Sequence, residues 1–136
     1  MNILNYVKLY LFTVPVFFVI DMMWLGLIAK GFYRKKLDYI LSPSINWTAA
    51  IIFYLIFIFG IIFFAVLPGR AKDSVSTSIL YGALFGFFTY ATYDLTNLAT
   101  LKDWPLSVVF FDIIWGIVLC SIVASISFFI AKWIGN

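Results

Sequence analysis

The chain has 136 residues, of which 65% are hydrophobic and only 11% are charged, and its formal net charge is +3. Since an ordinary soluble domain carries about 25% charged residues, a soluble core of this size could not bury so much apolar surface. The absence of histidine and the single cysteine, Cys120, argue against zinc, haem and disulfide chemistry, and the composition predicts neither a cofactor nor nucleic-acid binding.

Four apolar stretches are each long enough to cross a bilayer, and in chain order they cover residues 7–29, 48–67, 77–98 and 105–131. A helix needs about 20 apolar residues to span the hydrocarbon layer, whereas a β-barrel would show short segments of alternating polarity. We therefore predict an all-α fold, an integral membrane bundle of four transmembrane helices that forms a single domain over residues 1–136. The first stretch lacks a small-residue cleavage site, so we interpret it as a helix rather than a signal peptide.

The connections between these stretches are short, and the first carries its own pattern. Residues 31–41 mix basic and apolar side chains at near-helical spacing, which predicts a helix lying along the membrane interface. Asn46 and Asp103 precede the second and the fourth stretch, and short polar side chains at such positions predict helix caps.

The distribution of basic residues bears on the direction of the chain in the membrane. Arg34, Lys35 and Lys36 form a tight cluster in the first connection. Because basic residues concentrate on the cytoplasmic side, this cluster favours the cytoplasm for connections 30–47 and 99–104. The basic residues are otherwise almost evenly divided between the two sides, so a dual orientation stays open.

Two aspartates lie deep within predicted helices and share a local pattern. Trp24 follows Asp21 by three residues, and Trp115 follows Asp112 by three residues. Positions three apart share a face of a helix, so we expect each carboxylate to have the indole of its own helix beside it. Both aspartates lie about 13 Å from the polar end of their helix at 1.5 Å per residue.

A third aspartate, Asp94, lies near the end of the third stretch, on the same side of the membrane as Asp21 and Asp112. The three carboxylates are therefore predicted to converge in one leaflet. A carboxylate in hydrocarbon is costly unless it pairs, is hydrated or takes up a proton, which makes each one a candidate for function. Two purely structural roles for these aspartates stay open: hydrogen bonding within the bundle, or ion pairing with Lys30 and Lys102, whose side chains would reach inward.

The third stretch has two different faces when it is turned at 100° per residue. The polar or small face holds Gly82, Gly86, Thr89, Tyr93, Thr96, Asn97 and Thr100. The apolar face, expected to meet lipid, holds Leu80, Leu84, Phe87, Phe88, Ala91, Leu95 and Leu98. The two glycines predict close helix packing, and the polar half of the face predicts the lining of a cavity.

Four segments resemble one family of predicted bacterial membrane proteins, known as domain of unknown function 2177. They are YATYDLTNLATLKDWP at 90–105, DMMWLG at 21–26, GFYR at 31–34 and DIIWG at 112–116. The resemblance extends over nearly the whole chain. It implies a small multi-pass protein of the bacterial inner (cytoplasmic) membrane with four helices, and it implies no particular activity.

Our leading hypothesis is a membrane-embedded binding protein or small transporter for a cation, a proton or a cationic amphiphile. Aromatic rings attract organic cations, and carboxylates neutralise them. The predicted ligand-binding residues are Asp21, Trp24, Tyr93, Asp94, Asn97, Asp112 and Trp115. Four helices are few for a transport pathway, which favours a homodimer.

Two other classes of function stay open. One is an intramembrane enzyme that acts on a lipid or another apolar substrate, with one aspartate as general acid or base and the others holding a divalent cation. The other is a partner subunit of a membrane complex that docks through the face carrying Gly82 and Gly86.

Overall fold

The computed structural model describes residues 1–135, and every regular element in that range is a helix. The elements are α1 (Ile3–Met23), α2 (Lys30–Leu37), α3 (Trp47–Ile61), α4 (Leu67–Ala71), α5 (Val75–Thr100) and α6 (Leu106–Gly135). Two π-helical segments, Trp24–Ile28 and Ile62–Val66, continue α1 and join α3 to α4. The all-α prediction is confirmed over the described residues.

Three helical stretches, Ile3–Ile28, Trp47–Ala71 and Leu106–Gly135, have the length and hydropathy that a membrane crossing needs. They coincide with the predicted spans 7–29, 48–67 and 105–131 to within one residue at Ala29 and at Pro105, which lie just outside the stretches. The predicted span 77–98 falls within α5, which is 26 residues long but is not among the three. Threonine, tyrosine, asparagine and aspartate in the second half of α5 lower its mean hydropathy.

The two predicted helix caps have different outcomes. The Asn46 side chain accepts a hydrogen bond from a backbone N–H in the first turn of α3, so this cap is confirmed. The prediction for Asp103 is wrong, because this residue has a left-handed backbone with φ of 57° and α6 begins only at Leu106. Pro105 disfavours a helical conformation at the residue before it, which prevents the helix from starting earlier.

The helix of the first connection is shorter than predicted and is docked rather than isolated. It ends at Leu37 instead of residue 41, and the side chain of Leu37 is buried against Trp104 and Val108. The Tyr39 hydroxyl donates a hydrogen bond to the Asp103 carbonyl at 2.6 Å. These contacts fix α2 over the connection between α5 and α6, while its basic side chains stay exposed.

Glycines allow α5 and α6 to pack backbone against backbone. A Cβ atom at Gly82 would lie 2.6 Å from the Cys120 carbonyl oxygen, and one at Gly86 would lie 2.1 Å from that of Gly116. The two helices run antiparallel, since moving up the chain in α5 means moving down it in α6. The predicted close packing is found here, and this glycine face is covered by α6 and is not open to a partner protein.

The remaining contacts place α6 between α1 and α5, with α3 closing against α1 and the segment Ile62–Val66 closing against α5. Thr13 of α1 donates a hydrogen bond to Ser127 of α6 at 3.0 Å in the buried interior. On α5 the expected lipid face is exposed with one exception, because Ala91 is buried. The four long helical stretches thus surround an apolar core that has few polar side chains.

Candidate functional site

A cavity of about 630 Å³ lies between α1, α3, α5 and α6. This volume falls within the range of small-molecule sites, about 300–1,000 Å³. The cavity is lined by Asp21, Trp24, Leu25, Phe53, Tyr54, Phe57, Thr89, Tyr90, Tyr93, Asp112 and Trp115. Three of these side chains, Leu25, Phe53 and Tyr93, are exposed and form the rim. The cavity therefore opens sideways on the surface of the helices.

Asp21 of α1 is buried at one side of this cavity, with 4% of its surface exposed. The Trp115 indole N–H of α6 donates a hydrogen bond to Asp21 Oδ1 at 3.3 Å. The Tyr54 hydroxyl of α3 faces the same carboxylate. Donors from two neighbouring helices, α3 and α6, thus meet at the Asp21 carboxylate.

Asp112 of α6 is half-buried and is held by the docked helix α2. The Tyr33 hydroxyl donates a hydrogen bond to Asp112 Oδ1 at 2.7 Å. Burial raises the pKa of the Tyr33 phenol, and the negative charge of Asp112 raises this pKa further. Tyr33 therefore keeps its proton at neutral pH and remains a hydrogen-bond donor to the carboxylate.

The two indoles of the repeated pattern stack on each other. The rings of Trp24 and Trp115 lie 4.5 Å apart and are inclined by only 7°. Asp21 and Trp24 of its own helix both line the cavity, but the indole that donates to Asp21 is that of Trp115 from α6. In antiparallel helices the same pattern runs in opposite directions, so the indole of one helix meets the carboxylate of the other. Trp24 is the first residue of the π-helical segment Trp24–Ile28.

Asp94 of α5 is fully buried and does not line the cavity. Its polar neighbours are the Asp112 carboxylate and the Trp104 indole. Neither carboxylate oxygen of Asp94 has a hydrogen-bond partner, and the Trp104 N–H has none either. Asp94 thus lies next to Asp112 but outside the lining of the cavity.

The structure brings five of the seven predicted site residues to the cavity, and two lie outside it. Asp21, Trp24, Tyr93, Asp112 and Trp115 are all lining residues. Of the other two, Asp94 is buried next to Asp112, and Asn97 is half-buried one turn beyond Tyr93, whose hydroxyl it faces. The role of all seven in binding stays a prediction.

The predicted convergence of the three aspartates takes the form of pairs rather than of one cluster. Asp112 faces Asp94 on one side, and its charge acts on Asp21 across the cavity. Among the described residues, no group of three or more Asp, Glu, His or Cys side chains could hold a metal ion. The ligand set that the enzyme hypothesis needs is therefore not found in residues 1–135.

Neutralisation of these carboxylates by Lys30 and Lys102 does not occur. Both lysine side chains are exposed, Lys30 at the start of α2 and Lys102 in the connection between α5 and α6. In the part of the chain that the structure describes, the ion pairs join Asp73 to Arg70 and to Lys132, and both lie at the opposite end of the helices. The cavity aspartates are thus without a basic partner over residues 1–135.

Sequence reasoning missed several aromatic residues of the site. Tyr33 could have been found, because it lies with Phe32 and Leu37 on the apolar side of a helix whose other side is basic. Tyr54 and Tyr90 carry no such signal. Each lies in an apolar or mixed run where nothing in the spacing distinguishes a cavity-lining ring from one that faces lipid.

Comparison with known proteins gives a family and no closer relative. A family model described as a predicted membrane protein (DUF2177) matches residues 6–129. No curated protein and no solved structure matches the chain. The match extends over both aspartates of the cavity, the docked helix α2 and the whole of α5.

Proposed function

The chain belongs to the DUF2177 family of predicted membrane proteins. We propose that this membrane protein binds and carries a hydrophobic organic cation within the bilayer. The cavity between the helices is the proposed site, and the bacterial cytoplasmic membrane is the proposed location. The observation that supports this most directly is the pair of carboxylates, Asp21 and Asp112, on a cavity that is otherwise largely aromatic.

Charge argues for a cation. No lysine or arginine is among the residues that line the cavity in the described part of the chain. Carboxylates that lie in a region of low polarity without a counter-ion gain stability from any cation that reaches them. A positively charged ligand would thus supply the partner that Asp21 and Asp112 lack over residues 1–135.

The walls of the cavity argue for an organic rather than an inorganic cation. Stacked indoles, at Trp24 and Trp115, and the nearby rings of Tyr90 and Tyr93 offer π faces and apolar area. Such rings attract organic cations by about 0.5–2 kcal/mol each, depending on desolvation. A small hydrated metal ion would fill little of a space of about 630 Å³.

The opening of the cavity argues for a ligand that enters from the lipid. Phe53 on the rim lies six residues into α3, or about 9 Å from the start of that helix at Trp47. The opening is therefore at the depth of the acyl chains, given that α3 crosses the bilayer. A cationic amphiphile that partitions into one leaflet could reach the carboxylates without passing through the aqueous connections.

We also propose that α5 crosses the membrane as a fourth span. Its 26 residues are about 39 Å long, which exceeds the hydrocarbon thickness. Its threonine hydroxyls donate to carbonyls of their own helix, for example Thr92 to Phe88 at 2.6 Å and Thr100 to Thr96 at 2.7 Å. Polar groups that are satisfied in this way add little to the cost of crossing.

Binding of tetraphenylphosphonium, a hydrophobic cation, tests the proposal. Equilibrium dialysis of the purified protein in nanodiscs, with protein-free nanodiscs as the blank, measures the affinity. We expect Asp21→Asn and Asp112→Asn each to weaken binding at least tenfold, which corresponds to about 1.4 kcal/mol. Asp38→Asn, the same chemical change at an exposed position on the same side, should leave the affinity unchanged.

Tetraphenylborate, which has the same shape and the opposite charge, is the matched control ligand. Equal binding of the anion and the cation would show that the carboxylates play no part, and so would full affinity in both cavity variants. Carriage is measured separately as uptake of the cation by proteoliposomes. A homodimer would add the helices that a continuous pathway needs, and the mass of the complex in nanodiscs measures this.

A further inference from the structure

A second cavity, an open groove of about 450 Å³, lies between the first three turns of α1 and the last turn of α6. Among the described residues it is lined by Lys8, Phe12, Trp133 and Ile134. Lys8 precedes Asp21 on the same helix by 13 residues, or about 20 Å at 1.5 Å per residue. The groove therefore belongs to the opposite leaflet and takes no part in the proposed cation site.

Two aromatic rings form the apolar wall of this groove. Phe12 of α1 and Trp133 of α6 meet edge to face, with ring centroids 6.0 Å apart. Both side chains are exposed, Trp133 to 71% and Phe12 to 46%. Trp133 lies two residues before the end of α6, at the level where tryptophan meets the lipid headgroups. The groove thus offers its apolar area to the bilayer.

Lys8 is the only basic residue in the helical stretch Ile3–Ile28. The 26 residues of this stretch are about 39 Å long, whereas the hydrocarbon layer is about 30 Å thick. Lys8 lies about 8 Å from the start of the helix, and so near the boundary between hydrocarbon and headgroups. An ammonium group at this depth is costly unless it reaches the headgroups or meets an anion.

The protein itself supplies no such anion within residues 1–135. The described ion pairs leave Lys8 out, because they join Asp73 to Arg70 and to Lys132. Asp73 is also the only acidic residue at this end of the described helices, where the basic residues are Lys8, Arg70, Lys72 and Lys132. This excess of positive charge favours a ligand with a net negative charge over a zwitterionic one.

We propose that the groove between α1 and α6 binds one phospholipid of net negative charge. Its phosphate meets the Lys8 ammonium, and an acyl chain lies along Phe12 and Trp133. Phe12 is one helical turn deeper than Lys8, so charge and apolar wall follow each other in the same order as the headgroup and chain of a lipid in that leaflet. The site is separate from the cation cavity, and either assignment can fail without the other.

Native mass spectrometry of the purified protein tests the site. The protein in detergent is offered equal amounts of phosphatidylglycerol and phosphatidylcholine with the same acyl chains, and we expect it to retain phosphatidylglycerol preferentially. Lys8→Gln should weaken this retention about fivefold, which corresponds to about 1 kcal/mol. Lys72→Gln is the matched control, because Lys72 is an exposed lysine at the same end that does not line the groove. Its retention of phosphatidylglycerol should equal that of the natural protein.

A second pair of variants tests the apolar wall. Phe12→Ala should weaken the retention of phosphatidylglycerol by a similar factor, since it removes apolar area along the acyl chain. Leu11→Ala changes the neighbouring side chain, which is exposed to lipid outside the groove, and should have no effect. All four positions are exposed, so the circular dichroism spectra of the variants should match that of the natural protein.

Three results would overturn the proposal. Equal retention of the two lipids by the natural protein would show that the groove does not select a negative charge. An equal loss in Lys8→Gln and Lys72→Gln would show diffuse attraction by the whole basic end rather than a site at Lys8. A dimer of the natural protein that is lost in Phe12→Ala would assign the groove to a second copy of the chain instead of a lipid.

Discussion

Replacing Gly86 by alanine tests the contact between α5 and α6, the helices that carry Asp94 and Asp112. The new Cβ would lie 2.1 Å from the Gly116 carbonyl oxygen, and an ordinary contact begins near 3.4 Å. The new Cβ is attached to the backbone of α5 and the oxygen belongs to the backbone of α6, so neither atom can turn aside. The two helices must therefore separate locally by about 1.3 Å. A gap of this size forfeits a large part of the dispersion attraction across the interface.

We expect Gly86→Ala to lower the free energy of unfolding by about 3 kcal/mol, at the upper end of the usual cost of overpacking. Reversible unfolding in mixed detergent micelles, followed by circular dichroism, measures this loss. Gly26→Ala is the matched control, because a Cβ at Gly26 would have no atom within 4 Å. Its effect should stay within about 1 kcal/mol, the difference in helix propensity between the two residues.

Equal stability of Gly86→Ala and Gly26→Ala would refute this reasoning, because it would mean that the helices do not approach each other at Gly86.

Two further substitutions test the surroundings of the cavity. Tyr33→Phe removes the only hydroxyl that donates to Asp112 among the described residues. Since a hydrogen bond to a charged group contributes about 1.5–3 kcal/mol to stability, the same unfolding assay should show a loss in this range. An unchanged unfolding midpoint would contradict the contact. Asn46→Ala removes the cap of α3 at the membrane surface and should cost about 1 kcal/mol, with no change in tetraphenylphosphonium affinity, since Asn46 does not line the cavity.

The sequence alone determined those features that depend on neighbours along the chain. Long apolar runs require helices when they lie in lipid, because every backbone polar group must be satisfied within the segment. Counting residues from the helix ends placed Asp21 and Asp112 at similar depth, and both line one cavity. The cap at Asn46 likewise depends only on the turn that follows it. The cap prediction failed at Asp103, because the ring of Pro105 restricts the backbone of Trp104 and α6 begins only after the proline.

The tertiary structure alone decided which side chains meet. The pairing of Trp115 with Asp21 depends on two helices packing antiparallel, which spacing within one helix does not show. The position of Asp94 next to Asp112 depends on how α5 is rotated about its axis, and Gly82 and Gly86 set that rotation by close packing on α6. Tyr33 reaches Asp112 only because α2 docks over the connection between α5 and α6. Helix rotation and docking arise from packing between segments distant in sequence, so a carboxylate's depth could be counted from the sequence while its partner could not.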